Sequence, residues 1–147
     1  MGGIMDDRFI PRPVAVWFTI AAFASLLFMA LGCFGLMMHV IADPRTLPLD
    51  QRALMEAEPQ WVLAASSFGF VAGLFGSIFL LLRRQQAERL LLVALMGLLV
   101  WLAGMFVTPR FRDLLSTNQI AIVLVIVAIA WTIYWFARHS RQRGWLR

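Results

Sequence analysis

The feature that most restricts the fold of this sequence is a series of four long apolar runs. They cover residues 14–38, 61–82, 90–107 and 120–137, and none of the four contains an Asp, Glu, Arg or His. As helices rising about 1.5 Å per residue, runs of this length match the roughly 30 Å hydrocarbon core of a bilayer. The sequence therefore predicts an all-α integral membrane four-helix bundle that forms a single transmembrane domain.

The overall composition agrees with this prediction. Hydrophobic residues make up 61% of the chain and charged residues only 14%, against about 45–50% and about 25% in soluble domains. The charges cluster between the apolar runs, where a bilayer requires them. A soluble domain of 147 residues has too little core to bury four such segments.

The distribution of arginine predicts the orientation. All thirteen basic residues are arginine, and nine of them fall in the two tails and in the turn between the second and third runs. These nine are Arg8, Arg12, Arg83, Arg84, Arg89, Arg138, Arg141, Arg143 and Arg147; the opposite loops hold Arg45, Arg52, Arg110 and Arg112. The positive-inside rule then predicts that both termini lie in the cytoplasm. The absence of lysine beside thirteen arginines is a compositional hint of a bacterial source, so we expect a bacterial inner-membrane protein. The lipid bilayer is the expected partner, and no motif indicates nucleic acid.

The longest loop, between the first two runs, is predicted to contain a short helix over residues 48–58 on the outer surface. Pro48 suits the start of a helix and Pro59 its end. Arg52 and Glu56 form an i,i+4 ion pair in that helix. The pattern favours an amphipathic helix lying on the membrane, and a lid over the bundle is the alternative.

Small residues at helical spacing predict close helix packing, because apolar burial does not bring helices together in lipid. The predicted packing residues are Ala65, Gly69, Gly73, Gly76 and Ser77 in the second span with Gly97 and Gly104 in the third. The partner of these faces is either another helix of the same chain or a second protein, in a homo-oligomer or a larger membrane complex.

The residues that carry chemistry are few. His39 and His139 fall at opposite ends of the bundle and cannot share a haem or a metal, and Cys33 is the only cysteine. Asp50, Glu56 and Glu58 are interpreted as a solvated helix face. An acidic residue inside the membrane would mark an ion or proton pathway, and the spans contain none. We therefore expect no enzyme activity, cofactor or metal.

Trp101 is the only tryptophan placed well inside a predicted span. It shares a helix face with Gly97 and Gly104 and is therefore expected to point into the bundle. A buried indole N–H requires an acceptor, so we expect a hydrogen bond to Ser66, Ser67 or a free backbone carbonyl. A stacking surface for a ligand is the alternative role for Trp101.

The segment from about residue 32 to residue 104 resembles a group of small four-helix bacterial inner-membrane proteins that are often labelled sugar transporters. The resemblance rests on Leu47-Pro48, Gln51-Arg52-Ala53-Leu54, Glu56-Ala57, Pro59, Trp61, Gly73, Gly76-Ser77, Leu80-Leu81-Leu82 and Arg83-Arg84. It implies a four-helix bundle with a helical outer loop, and it supplies no binding residues. The leading functional hypothesis is a non-enzymatic accessory or interaction subunit; the alternative is a component of a small-solute transporter that acts as an oligomer.

Overall fold

The computed structural model describes residues 16–147, which are helical with no strand among them. Its helices are α1 (Val16–Ile41), α2 (Leu49–Ala57), α3 (Gln60–Leu81), α4 (Gln86–Val107), α5 (Pro109–Leu114) and α6 (Thr117–Gln142), with a 3₁₀ turn at Pro44–Thr46. The N-terminal arginines Arg8 and Arg12 and the predicted start of the first span at residue 14 lie outside the described residues.

Four of the helices, α1, α3, α4 and α6, are long and apolar enough to cross a membrane. They contain 22 to 26 residues, and hence extend about 33–39 Å at 1.5 Å per residue. The chain is thus a multi-pass membrane protein with an all-α four-helix bundle, as predicted. The short helices α2 and α5 lie at one end of the bundle, called here the α2 end; the α3–α4 turn and residues 143–147 lie at the other, called here the C-terminal end.

Two helix boundaries differ from the predicted spans in an instructive way. α4 begins at Gln86, so that a polar first turn precedes the apolar run, and α6 continues to Gln142 beyond its last apolar residues. A helix need not end where its apolar run ends, because polar turns remain helical in the headgroup region. The start of α6 is fixed by Ser116 and Gln119, each of which bonds the other's backbone N–H in a capping box.

The α3–α4 pair forms the centre of the bundle and has the closest backbone approach. A Cβ atom built on Gly97 would lie 2.9 Å from the Cα of Gly69 and 3.2 Å from the carbonyl oxygen of Ala65. On either side of this crossing, Gly76 faces Leu91 and Gly104 faces Val62. Only residues without a side chain allow these two backbones to meet.

The outer helices pack on this central pair, α1 on α3 and α6 on α4. Gly73 of α3 receives the side chain of Met29, whose sulfur would lie 2.5 Å from an added Cβ. Gly32 of α1 in turn faces the ring of Phe70, which leaves no room for a side chain there. The glycines of α3 therefore serve two neighbours, because Gly69 faces α4 and Gly73 faces α1.

A continuous apolar stripe covers the outward surface of α1. Its side chains recur at three- and four-residue spacing and are about half exposed or more. They are Val16, Ile20, Phe23, Leu27, Leu31, Phe34 and Met38. In water, so large a contiguous patch would drive association; around a membrane bundle it is the surface that contacts acyl chains.

An aromatic cluster joins α1 to α6 at the C-terminal end. Trp17 and Phe18 each contact both Phe136 and Trp145, with ring centroids 5.3–5.7 Å apart. After α6, Gly144 adopts a φ of +71° and turns the chain back, so that Trp145 and Leu146 are buried. The C-terminal residues are thus part of the packed bundle.

Candidate functional site

An apolar cleft opens between α1 and α6 toward the α2 end of the bundle. The two helices are held together by the aromatic cluster at the C-terminal end, whereas residues of α1 and α6 face each other across open space at the α2 end. This space comprises two adjoining cavities of about 500 Å³ each. Both cavities are lined by Gly35, His39, Glu58, Trp101 and Ile126.

Gly35 keeps the α1 wall of the cleft open. A Cβ built on Gly35 meets no atom within 4 Å, unlike the neighbouring Gly32, whose position is filled by Phe70. Leu31 and Leu36 of the same helix also line the space, with Ile122 and Ile126 opposite on α6. The wall is therefore aliphatic, with a notch where the glycine lacks a side chain.

Trp101 and Phe70 form the inner part of the cleft. Their ring centroids are 6.1 Å apart in an edge-on arrangement, and Trp101 is half-buried. Ser66 and Ser67 both donate their hydroxyls to the carbonyl oxygen of Leu63, at 2.9 and 2.7 Å. Among the hydrogen bonds of the described residues none involves the indole N–H of Trp101, so the bond predicted from the sequence is absent and Trp101 lines the cavity instead.

One polar side-chain contact lies in the cleft. Nε2 of His39, near the end of α1, donates to Oε2 of Glu58 at 2.9 Å. The Glu58 side chain is only 11% exposed and that of His39 is 39% exposed. The interpretation of Glu58 as part of a solvated face was therefore wrong: its extended backbone after α2 turns the carboxylate toward α1.

Helix α2 and α5 together cover the cleft at its end. Leu54 and Ala57 of α2 pack on a small apolar cluster that contains Met105, Phe111 and Val123. Leu49, at the start of the same helix, is 82% exposed. The predicted Arg52–Glu56 pair is present at 2.9 Å on the solvent side. The half-buried side of α2 thus faces the bundle, which matches the lid alternative.

The predicted packing residues lie at helix contacts within the chain. Ala65 and Gly69 of α3 contact Gly97 of α4. Gly76 contacts side chains of α4, and Gly104 contacts side chains of α3. Ser77 is fully buried. Ser66 alone of the two candidate serines lines the cleft with Trp101. The His39–Glu58 contact was missed, because the two residues are 19 positions apart and only the packing of α1 on α3 brings them together.

The chemistry available in the cleft is that of binding. Within residues 16–147, no group of three or more His, Cys, Asp or Glu residues is placed to hold a metal ion. The Ser66 hydroxyl is held by its own helix and does not contact the histidine. The cleft therefore combines a long apolar surface with one hydrogen-bonding pair, which is the pattern of a site for an amphipathic molecule. Comparison with family models, with curated proteins and with solved structures gave no match for this chain.

Proposed function

We propose that this chain is a non-enzymatic accessory protein of a bacterial inner membrane that holds an amphipathic, hydroxyl-bearing lipid in the cleft between α1 and α6. Both termini are in the cytoplasm in this proposal, and the excess of arginine at the C-terminal end supports that orientation. The single observation that carries the binding role is an apolar cleft that contains the His39–Glu58 pair.

The size of the cleft favours a lipid chain over a protein helix. A ten-residue stretch of helix about 15 Å long and about 10 Å across occupies roughly 1,200 Å³, which exceeds the two adjoining cavities of about 500 Å³ each even when they are taken together. Cavities of this size and apolar character are typical of small-molecule sites. A partner helix would need α1 and α6 to separate further.

The polar pair determines which lipid is preferred. Because acyl chains are already in an apolar solvent, an apolar cleft adds little selectivity within a bilayer. His39 and Glu58 offer hydrogen bonds at the α2 end of the cleft, and the carboxylate of Glu58 disfavours a phosphate or another anion beside it. A headgroup with hydroxyl groups satisfies both side chains.

The solute-transporter alternative requires a water-filled path lined by Thr19, Ser25, Ser66 and Ser67. Thr19 instead faces outward, and Ser25 donates its hydroxyl to the carbonyl of Ala21 at 2.8 Å. Ser66 and Ser67 are likewise bonded to their own helix. These contacts satisfy the hydroxyls locally and leave the interior apolar, which supports the accessory role over solute transport.

The test is to fill the cleft from the Gly35 position. Gly35→Phe projects a ring into the open space, and Ala30→Phe adds the same ring on an exposed part of the same helix as a matched control. Binding of parinaric acid methyl ester, an uncharged fluorescent lipid, to the detergent-solubilised protein is expected to weaken at least about tenfold in Gly35→Phe, which removes several methylene contacts. Equal binding by both variants and the wild type would show that the cleft is not the site.

The polar part of the proposal has a separate test. Competition by a monoacylglycerol against the uncharged methyl ester probe is expected to weaken in Glu58→Gln and His39→Leu, because each variant removes one hydrogen-bonding partner of the headgroup. Competition by the corresponding hydrocarbon, which has no headgroup, should stay the same in both variants. If hydrocarbon and monoacylglycerol compete equally in the wild type, the pair plays no part in recognition.

A further inference from the structure

A separate cavity, at the C-terminal end of the bundle, is polar, in contrast to the apolar cleft. It has a volume of about 400 Å³ and is lined by Arg84, Gln85, Gln86, Arg89, Arg141 and Arg147. No carboxylate side chain from residues 16–147 lines this arginine cavity. It lies in the headgroup region, just beyond the apolar parts of α3, α4 and α6.

The fold builds this cavity from three separate segments. Arg83 adopts a φ of 56°, which ends α3 and turns the chain toward α4. Arg147 returns to that turn: its N–H donates to the carbonyl oxygen of Arg83 at 2.5 Å, and Gln85 N–H donates to a main-chain oxygen of Arg147 at 3.0 Å. Burial of Trp145 fixes the approach of this segment. The arginines are therefore held around the cavity by backbone contacts and are not merely neighbours on a flexible tail.

The charges of the arginine cavity are mostly unpaired within the described part of the chain. Arg141 donates to Glu88 at 2.7 Å, at the edge of the cavity. Arg84, Arg89 and Arg147 form no ion pair there with a residue from 16 to 147. Three guanidinium groups around a common space repel one another, and an anion placed between them removes that repulsion.

We propose that the arginine cavity binds the phosphate of an anionic phospholipid headgroup. Guanidinium groups match phosphate oxygens in a two-pronged geometry that a lysine lacks, and basic pockets between transmembrane helices are suited to such headgroups. The neighbouring Trp17 and Trp135 are about half exposed and lie beside acyl chains at this depth, as interfacial tryptophans do. The position next to the bilayer surface favours a lipid over a soluble phosphate.

The experiment is a titration of the purified full-length protein with phosphatidylglycerol or phosphatidylcholine, with bound lipids counted by native mass spectrometry. The wild type is expected to prefer phosphatidylglycerol. Arg84→Gln/Arg89→Gln should weaken phosphatidylglycerol binding about 25-fold, the product of roughly fivefold for each arginine. Arg45→Gln/Arg110→Gln, which removes the same charge at the α2 end, is the matched control and should retain binding.

Two further measurements distinguish lipid binding from misfolding and from binding of free phosphate. Arg84→Lys/Arg89→Lys keeps the positive charge that orients the chain in the membrane, so it replaces the glutamine variant if that variant fails to fold. It is expected to bind phosphatidylglycerol severalfold more weakly than the wild type, because lysine lacks the two-pronged geometry of arginine. Inorganic phosphate at millimolar concentration should not displace the lipid. Displacement by phosphate alone, or equal binding of both phospholipids by the wild type, would overturn the proposal, as would unchanged binding in both cavity variants.

Discussion

The crossing of α3 and α4 yields the sharpest stability prediction. In Gly97→Ala, the new methyl group would lie 2.9 Å from the Cα of Gly69, whereas carbon atoms pack best at about 3.5–4.0 Å. The neighbour is backbone and cannot rotate away, so the helices must separate by about 0.6–1 Å. Such overpacking typically costs about 1–3 kcal/mol, partly offset by up to about 1 kcal/mol from the higher helix propensity of alanine. We expect a net loss of about 1–2 kcal/mol.

The matched control is Gly35→Ala, which makes the same chemical change in α1. Its Cβ meets nothing within 4 Å, so only the propensity gain of up to about 1 kcal/mol remains. The two variants should therefore differ by about 2 kcal/mol in the free energy of unfolding, roughly a thirtyfold ratio in the equilibrium constant. The assay is unfolding by sodium dodecyl sulfate in mixed micelles, followed by circular dichroism. Equal stability of the two variants would refute the close crossing.

A double-mutant cycle extends the same argument. Gly69→Ala alone should also destabilise the bundle, because its Cβ would lie 3.1 Å from the backbone nitrogen of Leu98. Once the helices have separated for one methyl group, the second costs less. The double variant Gly69→Ala/Gly97→Ala should therefore lose less than the sum of the two single losses, by about 0.5 kcal/mol or more. Strict additivity would indicate that the two glycines act at independent contacts.

Three other predictions use the same protein. Gly73→Leu should lower the melting temperature, because it displaces Met29 from α3, whereas Ile78→Leu on the same helix should be tolerated. Equal melting temperatures of these two variants would exclude the α1–α3 contact. Ser116→Ala removes a capping box and should cost about 1 kcal/mol in the same unfolding assay, and an unchanged free energy would mean that the cap does not stabilise α6. In a background without the native cysteine, a cysteine at position 50 should react with an impermeant thiol reagent in intact cells and one at position 141 should not; labelling at 141 would reverse the proposed orientation.

The elements that the sequence predicted well are those that depend on one segment at a time. The four spanning helices follow from uninterrupted apolar runs, each of which can be recognised without knowing what it packs against. The short helix α5 was not predicted, because Pro109–Leu114 carries two arginines and an aspartate without a repeating apolar pattern. Its Phe111 is buried because Met105 of α4, Val123 of α6 and side chains of α2 pack around it.

The parts that could not be predicted depend on how distant segments meet. The cleft exists because α1 and α6 are in contact at one end and apart at the other, which no single helix encodes. In the sequence, the arginines of the C-terminal end indicated only the orientation of the chain. Only the structure shows that Trp145 returns to the bundle and that Arg147 is bonded to the α3–α4 turn.

The return of Trp145 to Phe18 also has a consequence for the order of folding. These two side chains come from the first spanning helix and from beyond the last, so they cannot meet until nearly the whole chain has been synthesised and inserted. Since chains emerge from the N-terminus, α1, α3 and α4 are able to associate early, and the joint between α1 and α6 forms last. A chain with Trp145→Ala should therefore insert normally yet fail at this final closure, with its first helices in place and one end of the bundle unsealed.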